Sequence, residues 1–127
     1  MREQRFVIEG CLPSLNDYIR AERATRRGLG AARMKTDCQS RIIMAIRAAK
    51  VKPVENPVIL RYTHYVPNRR KDRDNIASIV HKFTQDALVF EGIIPNDGWD
   101  DILNSIDEWG IDRSNPKTVV RIIEVEK

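Results

Sequence analysis

Asp72 and Asp74 stand two residues apart inside a tight group of cations, Arg69, Arg70, Lys71 and Arg73. In an extended segment, residues i and i+2 project to the same side. The two carboxylates then converge, which is unfavourable unless a cation lies between them. Magnesium suits such a pair, because it takes hard oxygen ligands and is commonly held by one or two carboxylates together with water and phosphate oxygens. Two plainer roles compete: Asp74 precedes a strongly helical stretch and suits an N-cap, and Asp72 can pair with a neighbouring arginine. Asp97 follows 23 residues after Asp74. A helix over residues 75–90 spans about 24 Å, and the six or seven residues after it can cover a comparable distance. The spacing therefore permits Asp97 to return to the pair, and equally permits an ordinary Asn-Asp-Gly turn.

Other polar groups carry weaker signals. Lys82 and Asp86 are one helical turn apart, which describes a surface ion pair worth a few tenths of a kcal/mol or a lysine aimed at a transferring phosphate. Asp100 and Asp101 compete with Asp97 in the same acidic loop. His64 falls in a strand pattern and His81 on a helix flank, with no serine or cysteine arranged for triad chemistry. Gly28-Leu29-Gly30 lacks the Lys-Ser/Thr ending of a phosphate-binding loop. Trp99 can stack on a base, although packing is the commoner use of tryptophan.

The chain has 127 residues, 42% apolar and 31% charged, which suits one globular domain needing no disulfide or zinc staple. No apolar run approaches the length of a membrane span, and no secretory signal is evident. Cys11 and Cys38 have no metal-binding spacing. The expectation is a cytoplasmic protein with reduced cysteines. Its net charge of +4 conceals segregation: residues 17–50 carry +6, residues 51–85 carry +4 and residues 86–127 carry −6. Such asymmetry points to a polyanionic partner.

The elements that must position these groups are legible in outline. Phe6-Val7-Ile8 reads as a strand ended by Gly10, and Ser14 or Asn16 caps the first helix. Residues 17–27 are helical and very basic. A second helix covers about 32–49 after an interruption at Gly28 and Gly30, with Met34, Ile42, Ile43, Ala45, Ile46 and Ala49 as its apolar stripe. Residues 58–66 form a strand. The helix from Asn75 to about Phe90 buries Ile76, Ile79, Val80, Phe83, Ala87, Leu88 and Phe90, and Gly92 ends it. Residues 102–108 and 118–125 are strands joined by a turn over 109–116. The order β-α-β-α-β-β predicts a single α+β domain with helices packed on one mixed sheet.

Three blocks then suggest a family. Arg70-Lys71-Asp72-Arg73-Asp74-Asn75-Ile76, Lys82-Phe83-Thr84-Gln85-Asp86-Ala87-Leu88 and Gly92-Ile93-Ile94-Pro95-Asn96-Asp97 together resemble the RusA family of Holliday-junction resolvases, small phage- and prophage-associated endonucleases. Leu12-Pro13-Ser14-Leu15-Asn16-Asp17-Tyr18 with its basic helix is similar to the same family. The resemblance covers nearly the whole chain. It implies a RusA-like fold and a homodimer that grips a four-way DNA junction in the bacterial cytoplasm. Each subunit would use magnesium, or manganese in its place, to cut one phosphodiester, with no organic cofactor. Asp72, Asp74 and Asp97 match the family's essential metal-binding carboxylates. Lys82 matches its essential lysine, four residues before Asp86-Ala87-Leu88. The family's lysine can stand one turn nearer the second aspartate, where this chain has Ser78. DNA contacts fall to Arg69, Arg70, Lys71 and Arg73 and to Arg23, Arg26, Arg27 and Lys35 of the basic arm. Two other readings remain: a non-catalytic protein that binds branched DNA with the same fold, and an interaction module whose acidic last third docks a partner.

Overall fold

Along Val58–Val66, positions alternate between buried and half-buried, as a strand with one face against helices must. The computed structural model describes residues 2–24 and 29–126. In chain order it contains β1 (Glu3–Glu9), α1 (Leu15–Ala24), α2 (Leu29–Ala48), β2 (Val58–Val66), α3 (Arg73–Phe90), β3 (Ile102–Ile111) and β4 (Lys117–Glu124). The strands form one sheet in the order β1-β4-β2-β3. β4 pairs antiparallel with both β1 and β2, and β2 pairs parallel with β3. This is the expected α+β domain, with helices packed on a mixed sheet.

The core lies between the helices and one sheet face. Phe6 and Ile8 of β1, Val58, Leu60 and Tyr62 of β2, and Val120 and Ile122 of β4 meet Cys38, Ile42 and Ile46 of α2 and Ile79, Val80, Phe83, Ala87 and Leu88 of α3. Parallel pairing of β2 with β3 requires a long crossover, and α3 supplies it.

Local chemistry sets the ends of the helices. Ser14 rather than Asn16 caps α1: its hydroxyl accepts the Asp17 N–H at 3.2 Å, while the Asp17 carboxylate accepts the Ser14 N–H at 2.9 Å. This reciprocal pair satisfies two otherwise orphaned donors. At the C-terminal end of α3, Gly92 takes a positive φ of 72°. The Ile93 N–H donates to the Leu88 carbonyl at 2.9 Å and the Gly92 N–H to the Val89 carbonyl at 3.0 Å. Leu88 and Ile93 are both buried, which completes a Schellman cap with its apolar contact.

Several expectations are corrected. α2 begins at Leu29, so Gly30 lies in its first turn instead of interrupting the helix; Gly28, Arg26 and Arg27 lie outside the described residues. α3 begins two residues earlier than expected, at Arg73. β3 continues to Ile111, because Trp109, Gly110 and Ile111 pair with His64, Tyr65 and Val66. Phe90 is 74% exposed, since it is the last residue of α3 on the margin of the apolar stripe. Trp99 is 95% exposed, the core at this end being filled by Ile93 and Ile94.

Gly92→Ala is expected to lower stability by about 1 kcal/mol, because a Cβ disfavours the left-handed backbone. Urea unfolding should show a lower midpoint with an unchanged slope; an unchanged midpoint would mean that another residue sets the helix end.

Candidate metal and nucleic-acid site

The β2–α3 loop carries the charged cluster to one end of the sheet. Asp72 is the N-cap residue of α3 by backbone geometry (φ −69°, ψ 137°), yet its side chain makes no capping hydrogen bond. Asp74 lies in the first helical turn, so the pair straddles a helix start and is not in the extended segment expected. The Asp74 backbone carbonyl accepts the Ser78 hydroxyl at 2.7 Å. Both aspartates are exposed, and among the described residues neither carboxylate is held by a hydrogen bond or ion pair. The positive end of the helix dipole favours negative charge here, which offsets part of the repulsion between them. A cleft of about 320 Å³ opens beside Asp72, lined also by Arg69, Lys71 and Arg73 and by Trp109, Gly110 and Ile111 of β3.

Asp97 lies elsewhere. It sits in the loop between α3 and β3, at the far end of the crossover. The Asp101 carbonyl of that loop accepts the N–H of Val58, the first residue of β2. The Asp72 cleft is lined by Val66, the last residue of β2. A nine-residue strand separates these ends by about 26 Å. Within one chain Asp97 does not join Asp72 and Asp74. Its carboxylate is exposed and likewise unpaired among the described residues. Lys82 lies eight residues beyond Asp74, about 12 Å along the helix axis. Its ammonium is 3.4 Å from the Asp86 carboxylate, an exposed i,i+4 pair.

Of the candidate DNA contacts, Arg23, Lys35, Arg69, Arg70, Lys71 and Arg73 are all exposed. Lys71 also has an internal role. Its Nζ lies 2.8 Å from the Asp17 carboxylate and ties the first turn of α1 to the charged loop. That hydrogen bond, with the Ser14 N–H, holds the Asp17 carboxyl well below its ordinary value, at about 2.

A second constellation is formed by residues the sequence offered only singly. His64 on β2 and His81 on α3 both direct Nε2 at the same oxygen of Asp107 on β3, at 2.7 and 2.8 Å. Asp107 is next to Tyr62 across the parallel ladder, and Trp109 is next to His64. The rings stack in pairs, His81 on Tyr62 and His64 on Trp109, each with centroids 4.3 Å apart. Burial pushes the His64 pKa down against the pull of Asp107, which favours the neutral ring. Burial also pushes the Asp107 carboxyl up, but the hydrogen bonds from His64 and His81 outweigh it and hold the group below its ordinary value. These three side chains could hold a metal ion. The available signal was the place of His64 on the buried stripe of β2, where a polar residue needs a partner.

Compared with known proteins, the chain matches no protein-family model and no curated sequence. Among the described residues, no helix is long and apolar enough to cross a membrane.

Because the folded pKa of Asp17 is depressed, its ion pair stabilises the fold above pH ~4 and loses that effect as pH falls towards 2. Lys71 is half exposed, which limits the contribution to about 1 kcal/mol. Asp17→Asn should therefore lower the unfolding midpoint at pH 6 and converge with the unmodified protein near pH 2. A difference that persists at pH 2 would assign the effect to the α1 cap and not to the charge.

Proposed function

We propose that the chain is a magnesium-dependent endodeoxyribonuclease of the RusA kind, acting on branched DNA, with the four-way junction as its substrate. The observation that carries this reading is the pair of carboxylates, Asp72 and Asp74, unpartnered among the described residues at the positive end of α3, with Arg69 and Arg73 lining the same cleft as Asp72. The donor chemistry fits magnesium: hard carboxylate oxygens, exposed so that water and a phosphate can complete the shell. When bound there, magnesium would supply an activated water and stabilise the charge on the scissile phosphate and leaving oxygen. The chain's own cations would hold the DNA backbone, and the α3 N-terminus favours an anion in the cleft. Such binding needs no base reading and weakens steeply with salt. The resemblance further suggests a bacterial cytoplasm as its location and a phage or prophage as its source.

Asp97 has a place in this reading only through a second copy. If three aspartates serve one site, the third must come from a partner chain, because α3 keeps it at the other end of its own fold. Trp99, two residues from Asp97, is exposed, as are Phe90 at the end of α3 and Leu103 at the start of β3. These apolar side chains are the kind that a homodimer would cover. A two-fold dimer would build two equivalent sites for the two strands cut in a junction.

In a cleavage assay on a synthetic four-way junction and a linear duplex, paired symmetric nicks are expected with magnesium or manganese and none with EDTA. Asp72→Asn and Asp74→Asn should each lower the rate at least ~100-fold while junction binding survives. Mixing Asp74→Asn with Asp97→Asn protein should restore single nicks, since a mixed dimer would hold one intact site. Tight junction binding with no cut under either metal would favour the non-catalytic reading. Full activity of Asp97→Asn protein alone would remove Asp97 from the site, and failure of the mixture to nick, with the unmodified protein active, would rule out a site shared between two chains. Arg69→Ala with Arg70→Ala should weaken binding on every sequence and flatten its salt dependence by about one unit of slope per lost phosphate contact.

A further inference from the structure

We propose that His64, His81 and Asp107 form a site for a divalent transition metal of the zinc, cobalt or nickel kind, separate from the aspartates at the start of α3. The ligands come from three elements, β2, α3 and β3, and meet at one carboxylate oxygen. At bonds of about 2.1 Å, neighbouring ligand atoms stand ~3.4 Å apart in the tetrahedral shell usual for zinc and ~3.0 Å apart in an octahedral one. The observed separations of Asp107 Oδ1 from the two imidazole nitrogens, 2.7 and 2.8 Å, lie within a few tenths of an ångström of the octahedral edge. Small side-chain movements therefore let Asp107 Oδ1 take a corner adjacent to each imidazole nitrogen, and the three candidate ligand atoms lie within 4.8 Å of one another. Two imidazoles and one carboxylate on one side of an ion, with the remaining positions left to water, form a donor set that first-row divalent ions accept.

The ligands are positioned in advance. Tyr62 stacks on His81 and Trp109 stacks on His64, so packing fixes both ring planes. Access comes from the side. β3 is an edge strand, and the His81 and Asp107 side chains are each about a quarter exposed, while His64 is buried.

The donor set selects among ions. With no ion bound, each Nε2–H donates to Asp107. Binding through Nε2 leaves the proton of each ring on Nδ1. Nδ1 of His64 is buried without a partner, so binding leaves a buried donor unsatisfied, which lowers affinity for every ion alike. Magnesium dehydrates reluctantly and prefers oxygen ligands, and cannot offset that loss. Ions that bind imidazole strongly can. An ion held here would fasten α3 to β3 across the open edge of the sheet.

The test is a titration of the full chain with cobalt(II), read by visible absorbance and by quenching of tryptophan fluorescence, with zinc and magnesium as competitors. One saturating equivalent per chain is expected, displaced by equimolar zinc and not by about a thousandfold excess of magnesium. His81→Ala and Asp107→Asn should each weaken binding at least about tenfold. His81→Gln is the second variant should either fail to fold, and it should show the same loss. Asp72→Asn and Asp74→Asn should bind as the unmodified protein does, which separates this site from the proposed nuclease centre. Absence of saturable binding, affinity unchanged by the His81 and Asp107 substitutions, or displacement by magnesium would each overturn the proposal.

Discussion

Parallel pairing of β2 with β3 is the constraint on which the rest of the molecule depends. Two adjacent parallel strands require the chain to cross the full length of the sheet before it can pair again. α3 makes that crossing in eighteen residues, about 27 Å of helix, close to the length of β2 itself. Everything on the crossover is thereby assigned to one end, the middle or the other end. The Arg-rich loop with Asp72 and Asp74 falls at the start, His81 in the middle above Asp107, and Asp97 past the finish. The Schellman cap at Gly92 fixes where the crossing stops, and Leu88 and Ile93 anchor that stop in the core.

The charge segregation acquires a physical form on this frame. The cations of residues 69–73 gather where the α3 dipole is also positive, so positive potential concentrates at one cleft. Two carboxylates lie inside that field without a partner among the described residues. Asp17 is different: it directs its charge to Lys71 and to capping α1, and so joins the basic helix to the loop. Half of the ten acidic residues of the last third lie on β3 and in the loop before it, Asp97, Asp100 and Asp101 of them at the end of the sheet opposite the basic loop.

How much of this the sequence disclosed depends on the range of the interaction. The limits of β2 were legible residue for residue, because alternation and β-branched composition are local. The stripe of α3 was legible from Ile76 to Leu88 for the same reason. The ends of β3 and the exposure of Phe90 and Trp99 were not, because they depend on which strand pairs beyond residue 108 and on what already fills the core. The candidate site divides the same way. Asp72 and Asp74 could be found by spacing along the chain. The distance from Asp97 to that pair could not, since a return path of sufficient length exists in either outcome. The meeting of His64, His81 and Asp107 rests on separations of 17 and 26 residues and on the parallel register that sets Asp107 beside Tyr62, a quantity with no local signature.

The separation of Asp97 from Asp74 has a consequence for how activity would depend on assembly. Under the nuclease reading, a chain that is folded and basic but alone holds only two of three carboxylates at its cleft. It would grip DNA through the loop cations and bind metal weakly. Dimerisation would then add the third ligand to both sites at once, because a two-fold operation that brings one Asp97 to its partner's α3 brings the other back. Cutting would be licensed by the same symmetry that matches the two scissile strands of a junction, and a monomer bound to ordinary duplex would remain inert. Selectivity for branched DNA need not reside in any base contact. It can reside in the requirement that two copies be present, correctly opposed, before either site is complete.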